Sequence, residues 1–326
     1  MIKTVLVFCF DDRQGRKGGI YEQTAKEATA IVNGIFPEIE VHNWSVEGLL
    51  LTTPHPLLIP IDAGINGRCY KPMAILESLN GLNDGDFLIY NDCSPEIWDS
   101  PIPIEDFSKF SLSVIHNLTT QNNDILTSFV KWDCQNIPAN GLGLHIHKYF
   151  TLNRCMDKMG LRQYENSYQH ASGMMCIRKT PETVKFVEEW LHWNLDPECA
   201  SLGVDGCEFW DEEKDFKVGH RHDQSISGLL LNARNARLVD VLHNDMNPHN
   251  FLQFCRVGQE YNFIDSNSPV GRESLDMSKI FIRRGSQVVT DKGIEVTVWR
   301  VEGERIIIGQ YEESAWATTV DKLRLV

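Results

Sequence analysis

Apolar runs and amphipathic stretches alternate along most of the chain. A continuous apolar run at residues 4–10 predicts a buried strand, and the helical spacing of small and branched apolar side chains predicts a helix over 21–35. Residues 40–44 follow as a second strand. A strand, loop, helix and strand in this order are typical of the first half of a doubly wound α/β unit.

The same alternation continues after residue 70. Residues 71–82 have the pattern of a helix, and 86–92 form a short apolar strand that ends at Asp92. Further strands are predicted at 112–116 and 169–180, and further helices at 151–159 and 181–193. Ligands of open α/β sheets bind beyond the carboxyl ends of the strands, so Asp92 is placed where a ligand would sit. The alternative is an ordinary turn aspartate.

The pattern changes near residue 277. Five short β-type runs follow at close spacing, separated by Gly and Asp turns: 280–282, 287–289, 295–299, 305–308 and 323–325. Such a series suggests a small SH3-like barrel. We therefore expect two domains, an α/β domain over 1–275 and a small all-β domain over 276–326.

Composition narrows the class of partner. The 326 residues are 42% hydrophobic and 23% charged, as in an ordinary soluble globular protein. The net charge of −14 argues against nucleic acid or an anionic membrane as the main partner. A local basic pocket is still possible from Arg13, Arg16, Lys17 and Lys71.

The location is predicted from cysteines and apolar runs. Nine cysteines without Cys-x-x-Cys spacing fit a reducing compartment better than a disulfide framework. The apolar N-terminal run is too short for a signal peptide, and no run reaches the length of a membrane span. A cytoplasmic protein without a transmembrane segment is expected.

Three motifs occur in a fixed order. They are GINGRCYKPMAIL at 64–76 with GDFLIYND at 85–92, then QHASGMM at 169–175, then HRHDQS at 220–225. Together they resemble GT-A-fold glycosyltransferases, in particular bacterial and viral galactosyltransferase-like and glycogenin-like families. The resemblance covers roughly residues 1–255 and implies a Rossmann-type mixed sheet flanked by helices. One departure is clear, because many members carry Asp-x-Asp where this chain has Asp92-Cys93-Ser94.

The resemblance also implies site residues. Asp223 and Gln224 would be catalytic. The donor nucleotide-sugar would be bound by Phe10, Asp11, Arg13, Lys71, Asn91, Asp92, Ser172, Gly173 and His222. A divalent cation, Mn²⁺ or Mg²⁺, would be held by Asp92 with His243 and His249, because a late histidine can replace the missing second carboxylate.

Two roles are open for Asp223. If the reaction inverts configuration, Asp223 is the candidate general base for the acceptor hydroxyl. If it retains configuration, Asp223 and Gln224 would hold the donor sugar and stabilise positive charge at its anomeric carbon. The structural alternatives are a helix N-cap for Asp223, a solvated lysine for Lys71 and a plain loop for His243 to His249.

The predicted function is transfer of a sugar from a UDP- or GDP-sugar donor to a carbohydrate acceptor, in the synthesis of a polysaccharide, glycan or glycoconjugate. Two rivals are kept. One is a catalytically inactive protein that binds sugar nucleotides or glycans, suggested by the missing second aspartate. The other is a sugar nucleotidyltransferase, although the Gly-rich opening of those enzymes is missing.

Overall fold

The computed structural model describes residues 2–10, 18–52, 70–98, 107–129, 146–200, 220–241 and 249–267, and five strands between 287 and 325. The chain divides into two compact units. The first comprises 1–129 with 146–267, and the second comprises 130–145 with 268–326. The predicted boundary at 275/276 lies outside the described residues and stays a prediction.

The first unit is built on a mixed sheet of seven strands in the order β2-β1-β3-β5-β4-β6-β7. The strands are β1 Thr4–Phe10, β2 Glu40–Ser45, β3 Phe87–Asn91, β4 Ile125–Phe129, β5 His170–Arg178, β6 Arg237–Val241 and β7 Tyr261–Asp265. Strands β2, β1 and β3 are parallel, and β5 runs antiparallel to both β3 and β4. The mixed sheet agrees with the predicted fold class.

Helices follow most of these strands. They are α1 Gly18–Ile35, α2 Val46–Thr52, α3 Tyr70–Asn80, α4 Pro95–Trp98, α5 Leu112–Gln121, α6 His147–Phe150, α7 Asn153–Lys158, α8 Pro181–Leu195, α9 Pro197–Ala200 and α10 Asp223–Ala233. Helix α8 begins at a reciprocal capping box, in which the side chains of Thr180 and Thr183 each bond the other residue's backbone N–H.

Alternate residues of β1 face two layers of helices. Val5 and Val7 belong to a buried cluster with residues of α3, α8 and α10, whereas Leu6 and Phe8 belong to a second cluster with residues of α1 and α5. A strand covered on both faces needs apolar side chains at every position. This is why residues 4–10 read as a continuous apolar run.

The order of the strands reverses at β1. Helix α1 connects β1 to β2, which lies on one side of β1. Helix α3, which packs in the opposite layer, precedes β3 on the other side of β1. A reversal of this kind opens a crevice at the carboxyl ends of the strands. The two strand ends meet there, since Cys93 Sγ lies 3.5 Å from the Cys9 carbonyl oxygen.

Most predicted elements of this unit are confirmed, with ends that differ by a few residues. The prediction of a strand at 112–116 is wrong. These residues begin α5, in which Ile115 and Leu118 face the core three residues apart and Ser111 caps the first turn. The next strand along the chain after β3 is instead β4, which starts at Ile125.

The second unit contains a five-stranded antiparallel sheet in the order β11-β10-β9-β8-β12. Its strands are β8 Gln287–Thr290, β9 Glu295–Glu302, β10 Arg305–Gly309, β11 Ala315–Thr319 and β12 Leu323–Leu325. Four predicted strands are confirmed, β11 was missed, and 280–282 lie outside the described residues. Closure of this sheet into an SH3-like barrel stays a prediction.

Within the described residues, no helix is both long enough and apolar enough to cross a membrane.

Candidate functional site

Asp92 follows β3 with its backbone fixed and its carboxylate partly open. Its N–H donates to the Gly173 carbonyl at 2.7 Å, and Trp98 Nε1 donates to its carbonyl at 2.9 Å. The Tyr90 hydroxyl donates to Asp92 Oδ1 at 2.8 Å. Because 37% of the Asp92 side chain is exposed, the carboxylate can meet a ligand from solvent.

Asp223 brings a second carboxylate to the same place. It is the first residue of α10, and only 4% of its side chain is exposed. The N-cap position belongs to His222, so the alternative of a capping aspartate does not hold. Ser172 Oγ donates to Asp223 Oδ2 at 2.7 Å, and Trp190 Nε1 donates to the Asp223 carbonyl at 3.0 Å. The amino end of a helix favours a negative charge at this position.

Lys71 joins the two carboxylates. Its Nζ lies 3.2 Å from Asp92 Oδ1 and 3.0 Å from Asp223 Oδ2, and it also donates to Ser172 O and Oγ, both at 3.1 Å. We call Lys71, Asp92, Ser172 and Asp223 the Lys71 cluster. Only 13% of the Lys71 side chain is exposed, so the alternative of a solvated lysine is wrong.

The charges of the Lys71 cluster support one another. Burial by itself would lower the pKa of Lys71, but the carboxylates of Asp223 and Asp92 outweigh it, and the pKa lies above its usual value. Burial and Asp92 raise the pKa of Tyr90 well above its usual value, so its hydroxyl remains a neutral donor. With two carboxylates and one ammonium, the cluster carries one excess negative charge.

Gly173 lies next to the Asp92 carboxylate and the His249 ring. A Cβ on Gly173 would lie 3.0 Å from Asp92 Oδ2 and 3.9 Å from His249 Nδ1. Asn91 holds this arrangement together, because its side-chain amide donates to the His249 carbonyl at 2.9 Å and accepts from Phe251 N–H at 2.8 Å. A carboxylate oxygen and an imidazole nitrogen therefore face the same space above a glycine.

A divalent cation in this space would have two protein ligands among the described residues. Asp92 Oδ2 and His249 Nδ1 would hold the ion, and His243 lies outside the described residues. In the part of the chain that the structure describes, no group of three or more His, Cys, Asp or Glu side chains could hold a metal. Mg²⁺ is commonly bound through one or two carboxylates, with water and substrate phosphates completing its shell.

The remaining predicted residues divide into three groups. His222 Nδ1 donates to the Ala200 carbonyl at 2.7 Å, and Gln224 Nε2 donates to Gln169 Oε1 at 3.1 Å, so both side chains bond neighbouring protein groups. Phe10 ends β1 and is half-buried. Asp11 and Arg13 lie outside the described residues.

Sequence reasoning missed three supporting side chains. Tyr90 could have been found, because residues two apart on a strand share a face and Tyr90 precedes Asp92 by two. Trp190 and Gln169 carried no local signal. Trp190 lies on α8 and reaches Asp223 across the helix layer, and Gln169 bonds Thr151 and Ser225 from distant parts of the chain.

Comparison with known proteins does not show the family of this chain. No family model matches the chain, and no curated protein matches it. A solved structure described as a "crystal structure of a glycosyltransferase involved in the glycosylation of the major capsid of PBCV-1" is 13% identical, with 67% of this chain and 81% of that chain covered. Its TM-score is 0.28, a likeness too low to establish function.

Proposed function

We propose that this chain is a glycosyltransferase that moves a sugar from a UDP- or GDP-sugar to a carbohydrate acceptor. The observation that carries the proposal is the Lys71 cluster, two carboxylates and a serine bound to one buried ammonium at the carboxyl end of β3. Crevices at this edge of α/β sheets are where nucleotides bind. Buried carboxylate and hydroxyl groups in such a crevice are suited to bind sugar hydroxyls.

The donor diphosphate needs positive charge that the Lys71 cluster does not supply. Both carboxylates already bind the ammonium of Lys71, so we assign Lys71 to holding them rather than to the phosphates. A divalent cation, when bound by Asp92 and His249, would supply the charge that stabilises the departing diphosphate. The basic residues Arg13, Arg16 and Lys17 remain candidates for the same task.

Asp223 would act on the donor sugar. Its Oδ2 already accepts hydrogen bonds from Lys71 and Ser172, so this oxygen is poorly placed to take a proton from an acceptor hydroxyl. This favours the role of Asp223 in holding the sugar and in stabilising positive charge at the anomeric carbon, over the role of general base. Ser172 and Gly173 would line the same sugar pocket.

The proposal is tested by measuring nucleotide release from a panel of UDP- and GDP-sugars with mixed carbohydrate acceptors. Asp223→Asn should lose turnover by about a hundredfold or more and keep near-normal affinity for UDP or GDP, because it removes an interaction made mainly in the transition state. Asp157→Asn, which changes an exposed carboxylate on α7, is the matched control.

The outcomes separate the rivals. Binding of sugar nucleotides without turnover by the wild-type protein would indicate a binding protein. Release of pyrophosphate from a nucleoside triphosphate and a sugar phosphate would indicate a nucleotidyltransferase. Wild-type turnover by Asp223→Asn would remove Asp223 from the reacting centre. A cytoplasmic role in polysaccharide or glycoconjugate synthesis belongs to the same proposal.

A further inference from the structure

His222 has an unusual backbone conformation directly before Asp223. Its φ is 48° and its ψ is −114°. Among the described residues, three other non-glycine residues have positive φ, and all of them are Asn or Asp: Asn123, Asp124 and Asn235. With a ψ of −114°, His222 lies outside the small left-handed helical region that non-glycine residues tolerate, so any residue with a Cβ is strained in this conformation. Such strain persists only where surrounding contacts impose it.

The contacts that impose it come from α9. His222 Nδ1 lies 2.7 Å from the Ala200 carbonyl oxygen, and because a carbonyl only accepts, Nδ1 carries the hydrogen. The preceding carbonyl, that of Cys199, accepts from His220 Nε2 at 2.7 Å. His220 Nδ1 in turn accepts from the Leu152 N–H at 3.3 Å. The two histidine rings meet edge to face, 5.2 Å apart.

The strained residue sets the start of α10. The carbonyl of His222 accepts from the Ile226 N–H at 3.1 Å, which fixes the first turn. Its ψ angle sets the direction of the peptide that leads into Asp223. The Asp223 carboxylate then reaches Lys71 at 3.0 Å and Ser172 at 2.7 Å. Relaxation at His222 would turn this carboxylate away from both partners.

We infer that His222 is a positioning residue, whose hydrogen bond to Ala200 holds a strained backbone that aims Asp223 at Lys71 and Ser172. This differs from the sequence-based expectation that His222 contacts the donor. The inference rests on the proposed function for its activity readout, but its stability readout is independent of that function.

Four variants of His222 distinguish the two roles. In His222→Asn the amide nitrogen replaces Nδ1, and in His222→Gln it replaces Nε2. His222→Ala removes both nitrogens and keeps the strain, whereas His222→Gly removes both and relieves the strain. We expect Ala, Gln and Gly to lower kcat tenfold or more with little change in donor KM, and Asn to restore most of the lost turnover.

Thermal unfolding tests the backbone separately. The Tm of His222→Gly should exceed that of His222→Ala by about 2–4 °C, because only Gly relieves the positive φ. The Tm of His222→Asn should also exceed that of His222→Ala, and that of His222→Gln should not. The control pair is Asn123→Gly and Asn123→Ala. Asn123 also has a positive φ, and it lies just before β4, at the end of the sheet opposite to Asp92. These two variants should give the same order of Tm with unchanged activity.

Each contrary result is informative. An active Gln variant beside an inactive Asn variant would assign Nε2 to a ligand and overturn the inference. So would wild-type turnover by His222→Ala, or a Tm for His222→Ala equal to that of His222→Gly. If the wild-type protein turns over no donor, the proposed function fails, and the order of Tm among the variants still decides whether the Ala200 bond holds a strained backbone.

Discussion

Gly173 leaves room for the Asp92 carboxylate, because it has no side chain. Gly173→Ala places a Cβ 3.0 Å from Asp92 Oδ2, a distance at which the carboxylate must move. We expect cation-dependent donor affinity to fall at least tenfold while the protein remains folded. Titration calorimetry with UDP or GDP in Mn²⁺ measures the loss. Gly34→Ala on α1, where a Cβ meets nothing within 4 Å, is the control. Unchanged affinity in Gly173→Ala would place the donor elsewhere.

Lys71 matters at the same scale because it is the shared partner of two carboxylates. Lys71→Met leaves Asp223 buried without its cation, and breaking a buried pair in this way destabilises by about 3–5 kcal/mol. The double variant Lys71→Met/Asp223→Asn should recover part of this loss, because the uncompensated charge is removed. Urea denaturation of the two single variants and the double variant gives the coupling energy. Additive losses would show that Lys71 and Asp223 do not interact in solution.

At the scale of elements, the contact between α10 and β5 depends on Gly228. A Cβ there would lie 2.9 Å from His147 Cε1 and 3.4 Å from the His170 backbone nitrogen. We expect Gly228→Ala to force the His147 ring or α10 to move and to destabilise by about 1–3 kcal/mol, as overpacked cores do. Because α10 carries Asp223, turnover should fall as well. Gly34→Ala again serves as the control in urea denaturation, and equal midpoints for both variants would contradict the close contact.

Whether a helix or strand could be predicted from the sequence depended on how its side chains are buried. Strand β1 is covered on both faces, so its sequence is apolar throughout and its type was clear. The start of α5 was assigned to a strand because its first residues, taken alone, are consistent with either period. Only Ile115 and Leu118, three apart, show the helical face. Strand β11 has one large apolar residue, Trp316, and gave no signal.

At the scale of the whole molecule, the site was partly predictable. Lys71, Asp92, Ser172 and Asp223 were all singled out from their motifs, and the structure brings them together. Their pairing was not predictable, because it depends on how four segments that are distant in sequence meet: α3, the end of β3, β5 and α10. For the same reason, the expectation that Lys71 binds the donor did not include the two carboxylates that bind Lys71. Motifs indicate residue types, whereas only tertiary packing sets their partners.

Buried histidines make the stability of the whole fold depend on pH. His170 is fully buried, and burial, with a smaller effect of His147, lowers its pKa to about 3. Burial also lowers the pKa of His116 to about 4. Both histidines have a pKa of about 6.5 in the unfolded chain, so between these values the unfolded state binds more protons. The contribution of these two histidines to the free energy of unfolding is therefore fully present above about pH 6.5, and it is lost as the pH falls towards 3.

The contribution of His170 can be isolated. Its loss of stability approaches about 1.4 kcal/mol per pH unit below pH 6.5. In His170→Asn the amide can still bond Thr127 Oγ1, which lies 2.8 Å from His170 Nδ1, and it does not titrate. We expect urea denaturation between pH 7 and pH 5 to show a shallower loss for His170→Asn than for the wild type. His192→Asn, an exposed change on α8, should keep the wild-type slope. Equal slopes for all three proteins would mean that His170 accepts a proton in the folded state as readily as in the unfolded chain, and its site would then have to be open to water.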